Sequence, residues 1–244
     1  MGETMDFNLN VVGGIGLNNE NIPLHGSPTA TLRQHVIRAL YDGTLLSKID
    51  KIVLLDTEGY EEDSTTSLSY SVSGNQLTIT CSISVTAVYT IAKVRVYAGT
   101  NLYFETALST TQPVSNGDTV NITLTITVSI SGTLTYGGHT YSMTMADFGN
   151  LVCNILAGSE APDRLKVSSI TFVGTAGNIN VGTSNTLSAD GLSVSFTGSG
   201  STSVDNTITG IEIWAPTRTL WKYTGLSVSV TAGSTLTYSE TTSA

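Results

Sequence analysis

One stretch of this chain is written twice. Thr90-Ile91-Ala92-Lys93-Val94-Arg95-Val96-Tyr97 returns as Thr207-Ile208-Thr209-Gly210-Ile211-Glu212-Ile213-Trp214, an offset of 117 from position 90 to position 207. Both copies are apolar at nearly every second place and end in a large aromatic. That is the period of a β-strand with one slip, which a bulge supplies. The flanks match in the same order. Upstream lie Leu32 to Gly43 and Asp147 to Gly158, each with apolar residues on one helical face and a closing glycine, and Asp147 or Asn150 stands near the start of the second. Strand-like runs follow at Ile49 to Leu55 and Val167 to Val173, then at Leu77 to Val85 and Leu192 to Phe196. Downstream, Leu102-Tyr103-Phe104 matches Leu220-Trp221-Lys222-Tyr223, and Val114 to Val120 matches Val230 to Leu236. Six segments in the same order read as one module duplicated.

The expected fold is therefore mainly β: two tandem antiparallel β-sandwich domains of jelly-roll or immunoglobulin-like type, each preceded by one short α-helix that caps its own sandwich. Residues 1–28 are an N-terminal arm, 29–134 the first module and 135–244 the second, with Tyr136-Gly137-Gly138 marking the junction. The clearest strand runs from Val120 to Ile130, with Val120, Ile122, Leu124, Ile126, Val128 and Ile130 on one face and Asn121, Thr123, Thr125, Thr127 and Ser129 on the other. The last strand of the second module is expected over Thr235 to Glu240. In the arm, Phe7, Leu9 and Val11 alternate, whereas Gly13-Gly14-Ile15-Gly16 and Asn18-Asn19-Glu20-Asn21 break regular structure. With so little core of its own, the arm is expected to pack on a neighbouring subunit.

Only 12% of the residues are charged, about half the usual fraction, and the net charge is −9. The acidic balance argues against coating nucleic acid. Few ions and many Thr and Ser suit sheets whose outer faces are hydroxyl-rich and lose water cheaply. Residues 1–28 lack the basic start and apolar core of a secretory signal, and no run approaches a transmembrane span.

Chemistry is sparse. His25, His35 and His139 have no ligand spacing, and no Gly-x-Ser-x-Gly occurs. No catalytic, cofactor-binding or metal residue is assigned, and the chain is read as no enzyme. The acidic loop Asp56-Thr57-Glu58-Gly59-Tyr60-Glu61-Glu62-Asp63 is the best calcium candidate but lacks the twelve-residue pattern, so a solvated loop is favoured. Cys81 and Cys153 read as small buried hydrophobes. Asn121-Ile122-Thr123 is a glycosylation triplet on the polar face of its strand. Tyr97, Tyr103, Phe104, Trp214, Trp221 and Tyr223 form either a sugar platform or, because they recur at equivalent places, a shared core.

The ordered set of a Leu-rich helix with a closing glycine (Leu32–Gly43), Ile49–Leu55, Thr90–Tyr97 and Val114–Ile130 resembles β-sandwich virion structural proteins of tailed phages and archaeal viruses, from tail, fibre, spike and capsid-associated parts. The second module carries the set more loosely, with Ser234 for Asp118 and Gly210 inside its strand. The resemblance implies a non-enzymatic virion component that acts through subunit assembly and is assembled in the host cytoplasm. Its implied partners are copies of itself in a symmetric homo-oligomer, other virion proteins, and a host-surface glycan or receptor. The rival expectations are a pilin-like or surface-layer-like filament protein and a carbohydrate- or receptor-binding module.

Overall fold

The computed structural model describes residues 2–17 and 20–243, with the side chains of all of these except 2–6, 20 and 21. The chain is mainly β, built of large antiparallel sheets. The first half contains β1 (Gly2–Leu17), β2 (Glu20–Pro28), α1 (Ala30–Asp42), β3 (Lys51–Leu55), β4 (Glu61–Thr65), β5 (Ser69–Ser73), β6 (Gln76–Ser84), β7 (Tyr89–Ala98), β8 (Asn101–Val114) and β9 (Thr119–Tyr136). The second contains β10 (His139–Met145), α2 (Phe148–Ala157), a 3₁₀ turn (Pro162–Leu165), β11 (Ser169–Gly174), β12 (Ile179–Gly182), β13 (Ser184–Leu187), β14 (Ser193–Ser201), β15 (Asn206–Trp214), β16 (Thr219–Val230) and β17 (Thr235–Ser243).

The same six antiparallel pairings occur in each half. In the first they are β3–β4, β3–β7, β7–β8, β8–β2, β5–β6 and β6–β9. In the second they are β11–β12, β11–β15, β15–β16, β16–β10, β13–β14 and β14–β17. Even the slips correspond: β7 breaks register between Ile91 and Lys93, and β15 breaks between Ile208 and Gly210. These are the bulges that the repeated stretch leads one to expect. The first half closes further: β4–β3–β7–β8–β2–β1–β9–β6–β5 form one curled sheet, a half-barrel.

Each helix is stopped by its glycine in the left-handed conformation, Gly43 at φ 78° and Gly158 at φ 80°, and the side chain of Thr29 caps the start of α1. From sequence each helix is expected to cap its own sandwich, but in the structure both reach across to the other half. α1 packs on β8 of its own half and also on β13 and β14; α2 packs mainly on β5, β6 and β9 and less on β16 of its own half. Backbone bonds repeat the exchange: Val167 N–H donates to Leu40 O at 2.9 Å, and Ile49 N–H donates to Leu156 O at 2.9 Å. Phe148 of α2 meets Phe7 and Trp221 edge-on, which ties β1 and both halves into one core.

The arm expectation is overturned. β1 pairs with β9 from Met5 to Gly16 and with β2 from Val11 to Leu17, while Gly2–Asp6 pair in parallel with Ser239–Ser243 of β17. Residues expected to seat on a neighbour thus form a central strand that joins the two halves. Gly13, Gly14 and Gly16 do not break it. A Cβ on Gly13 would stand 2.2 Å from Thr123 O, so glycine there lets β9 approach closely. Asn18 and Asn19 lie outside the described residues. The last strand also outruns expectation, reaching Ser243 because β14 and β1 pair with it. Gly137 and Gly138, both with positive φ, make the tight turn between β9 and β10, and β9 runs unbroken through position 134.

Candidate assembly surface

The alternation of β9 is realised residue by residue. Val120, Ile122, Leu124, Ile126 and Val128 are buried, and the polar set faces outward. The outward rows of neighbouring strands are of the same kind. In the first half, Ser69 and Ser71 of β5 stand beside Thr80 and Thr78 of β6, which stand beside Thr123 and Thr125 of β9. In the second half, Ser184 and Thr186 of β13 stand beside Thr197 and Ser195 of β14, which pair with Ser239 and Thr241 of β17. Hydroxyls bond across the strands: Ser195–Thr241 at 2.8 Å, Thr197–Ser239 at 3.1 Å and Ser199–Thr237 at 3.1 Å. Ser82 donates to the Oδ1 of Asn121 at 2.6 Å; Asn121 and Thr123 of the glycosylation triplet are exposed on this face, and Ile122 between them points into the core. Hydroxyls that already satisfy one another give up water at small cost.

A cluster of charges lies on a different surface. Across β4, β3, β7 and β8, Glu105 accepts from Lys93 and Arg95, and Arg95 and Lys51 approach Glu61. Tyr97 donates to Glu61 at 2.6 Å. The two bases beside Glu105 hold its carboxyl below the usual range.

The acidic loop uses its carboxylates internally. Asp56 Oδ1 accepts from the N–H of Glu58 and of Tyr60, which shapes the turn. Buried Asp63 accepts from Thr86 N–H, Thr86 Oγ1 and Tyr89 OH. No group of three His, Cys, Asp or Glu able to hold a metal occurs among the described residues. His25 and His139 are exposed on β2 and β10. His35 faces Tyr103 OH at 2.9 Å, and burial lowers its pKa. Cys81 and Cys153 are separate, buried thiols, pushed up by burial to about 11 and about 12.

Tyr103, Phe104, Trp221 and Tyr223 are fully buried and serve as core, not as a sugar platform; Tyr97 and Trp214 are half-buried. One cluster escaped the sequence reading. Glu240, fully buried, accepts from Trp221 Nε1 at 3.2 Å, Tyr223 OH at 3.0 Å and Tyr238 OH at 2.7 Å. Burial and then the nearby carboxylate push the Tyr238 phenol far up. The signal was present, because Tyr238 and Glu240 alternate in phase with the inward residues of β17, but an inward glutamate contradicts simple binary patterning.

A cleft of about 440 Å³ opens where the halves meet, lined by Tyr41, Asp42, Lys166, Ser168, Thr183 and Asn185 among others. Comparison of the chain with protein-family models, curated proteins and solved structures finds no match to any of them.

Proposed function

We propose that this chain is a non-enzymatic structural protein of a virion, a capsid, spike or tail component that works by packing against copies of itself and other virion proteins. It would be assembled in the host cytoplasm. The observation that carries this reading is the pair of uncharged, hydroxyl-rich outer rows, on β5, β6 and β9 and on β14 and β17, the latter bonded hydroxyl to hydroxyl. A surface of this kind fits tight protein contact, since the named rows carry no ion to desolvate and hydroxyls of β14 and β17 already bond to one another. In the same reading the halves are a tandem duplication of one sandwich-like module; the support is the recurrence of six pairings and of the bulge.

The experiment is light scattering with negative-stain microscopy on the full chain across a concentration series. Closed rings, spikes or tubes of defined size are expected. Thr197→Lys with Ser199→Lys, on the outward row of β14, is expected to abolish them. A monomer at every concentration overturns the reading.

A further inference from the structure

The two halves place the same backbone around two equivalent spots and fill them differently. In the first half, Tyr70 of β5 lies opposite Ile79, donates its hydroxyl to Ile49 O at 2.6 Å, and carries Lys48 Nζ over its ring at 4.7 Å. In the second half, Asn185 of β13 lies opposite Phe196 and donates to Val167 O at 2.9 Å. Ile49 and Val167 are matched by their equivalent bonds to the exchanged helices. Lys166, which precedes Val167 as Lys48 precedes Ile49, lines the open cleft. The cleft is thus the place where the first half holds a tyrosine ring beneath a lysine. Asn185 is too short to fill it. With its Nδ2 engaged by Tyr41 O and Val167 O, its Oδ1 is buried without a donor.

The loops show the opposite asymmetry. The loop between β3 and β4 carries Tyr60, 65% exposed, among Asp56, Glu58 and Glu62. Its counterpart between β11 and β12 is Thr175-Ala176-Gly177-Asn178, with neither an aromatic nor an acid. One half has an open cleft and no exposed ring on this loop; the other has the exposed ring and a tyrosine in the equivalent place.

We propose that Tyr60 of one copy inserts into the cleft of the next, its ring beneath Lys166, with the acidic loop facing that lysine. The occupant is a second copy of this chain, because the chain itself exposes, at Tyr60, the ring that Tyr70 supplies in the first half, and the acids around it complement Lys166, the Asp42 carboxylate of the cleft being paired with Arg38. The contact joins different surfaces of the two copies, so it propagates head to tail and closes into a ring or continues as a filament. An ammonium over a tyrosine ring is attractive. This inference rests on the assembly reading above.

The test uses two full-length variants, Tyr60→Ala and Asn185→Tyr, each checked for folding by circular dichroism. The first keeps only the hole and the second only the ring. Each alone is expected to be monomeric in light scattering where the wild type is assembled, and an equimolar mixture is expected to give a 1:1 pair and nothing larger. Lys166→Glu, at an exposed position, provides a second hole variant and is expected to weaken assembly at least tenfold. Wild-type assemblies that persist unchanged in all three variants overturn this contact while leaving the assembly reading intact. A wild type that stays monomeric overturns both.

Discussion

The two halves share their strand pairings and differ in what those pairings enclose. At four matched places around the first core stand Phe104, Thr106, Ile122 and Leu124, paired with Val96, Val94, Cys81 and Ile79. At the corresponding places in the second stand Trp221, Tyr223, Tyr238 and Glu240, paired with Ile213, Ile211, Gly198 and Phe196. At these places the first core is apolar but for Thr106. The second surrounds a carboxylate with three donors. The backbone pattern therefore does not dictate core chemistry. It requires only that the volume be filled and that each buried polar group be answered.

Moving the carboxylate breaks this comparison most sharply. Leu124→Glu places a charge at a fully buried site beside Ile79 and Ile122, which have no side-chain donor. The cost of an unanswered buried charge approaches the ~5–15 kcal/mol by which a domain is stable. The expected outcome is loss of soluble, cooperatively folding protein, measured by yield and by circular dichroism. Normal folding would mean that the first core admits water.

The converse change, Glu240→Leu, makes the second core as apolar as the first but strands Trp221 Nε1, Tyr223 OH and Tyr238 OH. A loss of roughly 3–5 kcal/mol is expected from these groups together. At about 2–4 °C per kcal/mol for a chain of this size, the melting temperature should fall by roughly 6–20 °C. Glu240→Gln, which keeps an acceptor, should lose less. A rise in melting temperature for the leucine variant would show that desolvating the carboxylate costs more than its three bonds return.

A smaller effect tests how closely the sheets meet. Gly200 lies opposite Leu236 as Ile83 lies opposite Val120. A Cβ at Gly200 would fall 2.4 Å from Val181 Cγ1 and 3.2 Å from Ile179 Cγ2, so β12 presses on β14 where the first half has room for isoleucine. Gly200→Val is expected to cost about 1–3 kcal/mol by overpacking. Val181→Ala should recover part of that loss, a non-additivity that denaturant titration of the double variant would detect.

Periodicity made much of this architecture legible. Strands β6, β7, β9 and β15, both helices with their glycine stops, and the bulge all follow from side chains that alternate or recur on one face. What escaped depends on distant partners. Gly13, Gly14 and Gly16 look like breakers until β9 lies against them. The helix exchange leaves no local trace, since the apolar face of α1 is the same whichever sheet receives it. The cleft at Asn185 has meaning only once Tyr70 is seen in the equivalent place.

The smallest expected effect is a pH dependence confined to one half. Leu40 and Leu156 accept equivalent bonds, so His35, five residues before Leu40, corresponds to the buried Leu151 of α2. Burial lowers the His35 pKa from its ordinary value of 6.5. Ser47 N–H already donates to Tyr103 OH at 3.0 Å, so that hydroxyl can give its own proton to a neutral Nδ1. The folded state thus disfavours the charged ring. The contribution is complete above the unfolded value of about 6.5 and is lost as pH falls toward and through the lower folded pKa. His35→Leu, which copies the second half, should flatten the dependence of melting temperature on pH between about 5 and 7 and leave the behaviour above pH 7 parallel to wild type. An unchanged slope would mean that His35 reaches water in the folded state, and the difference between the two helices would then carry no charge.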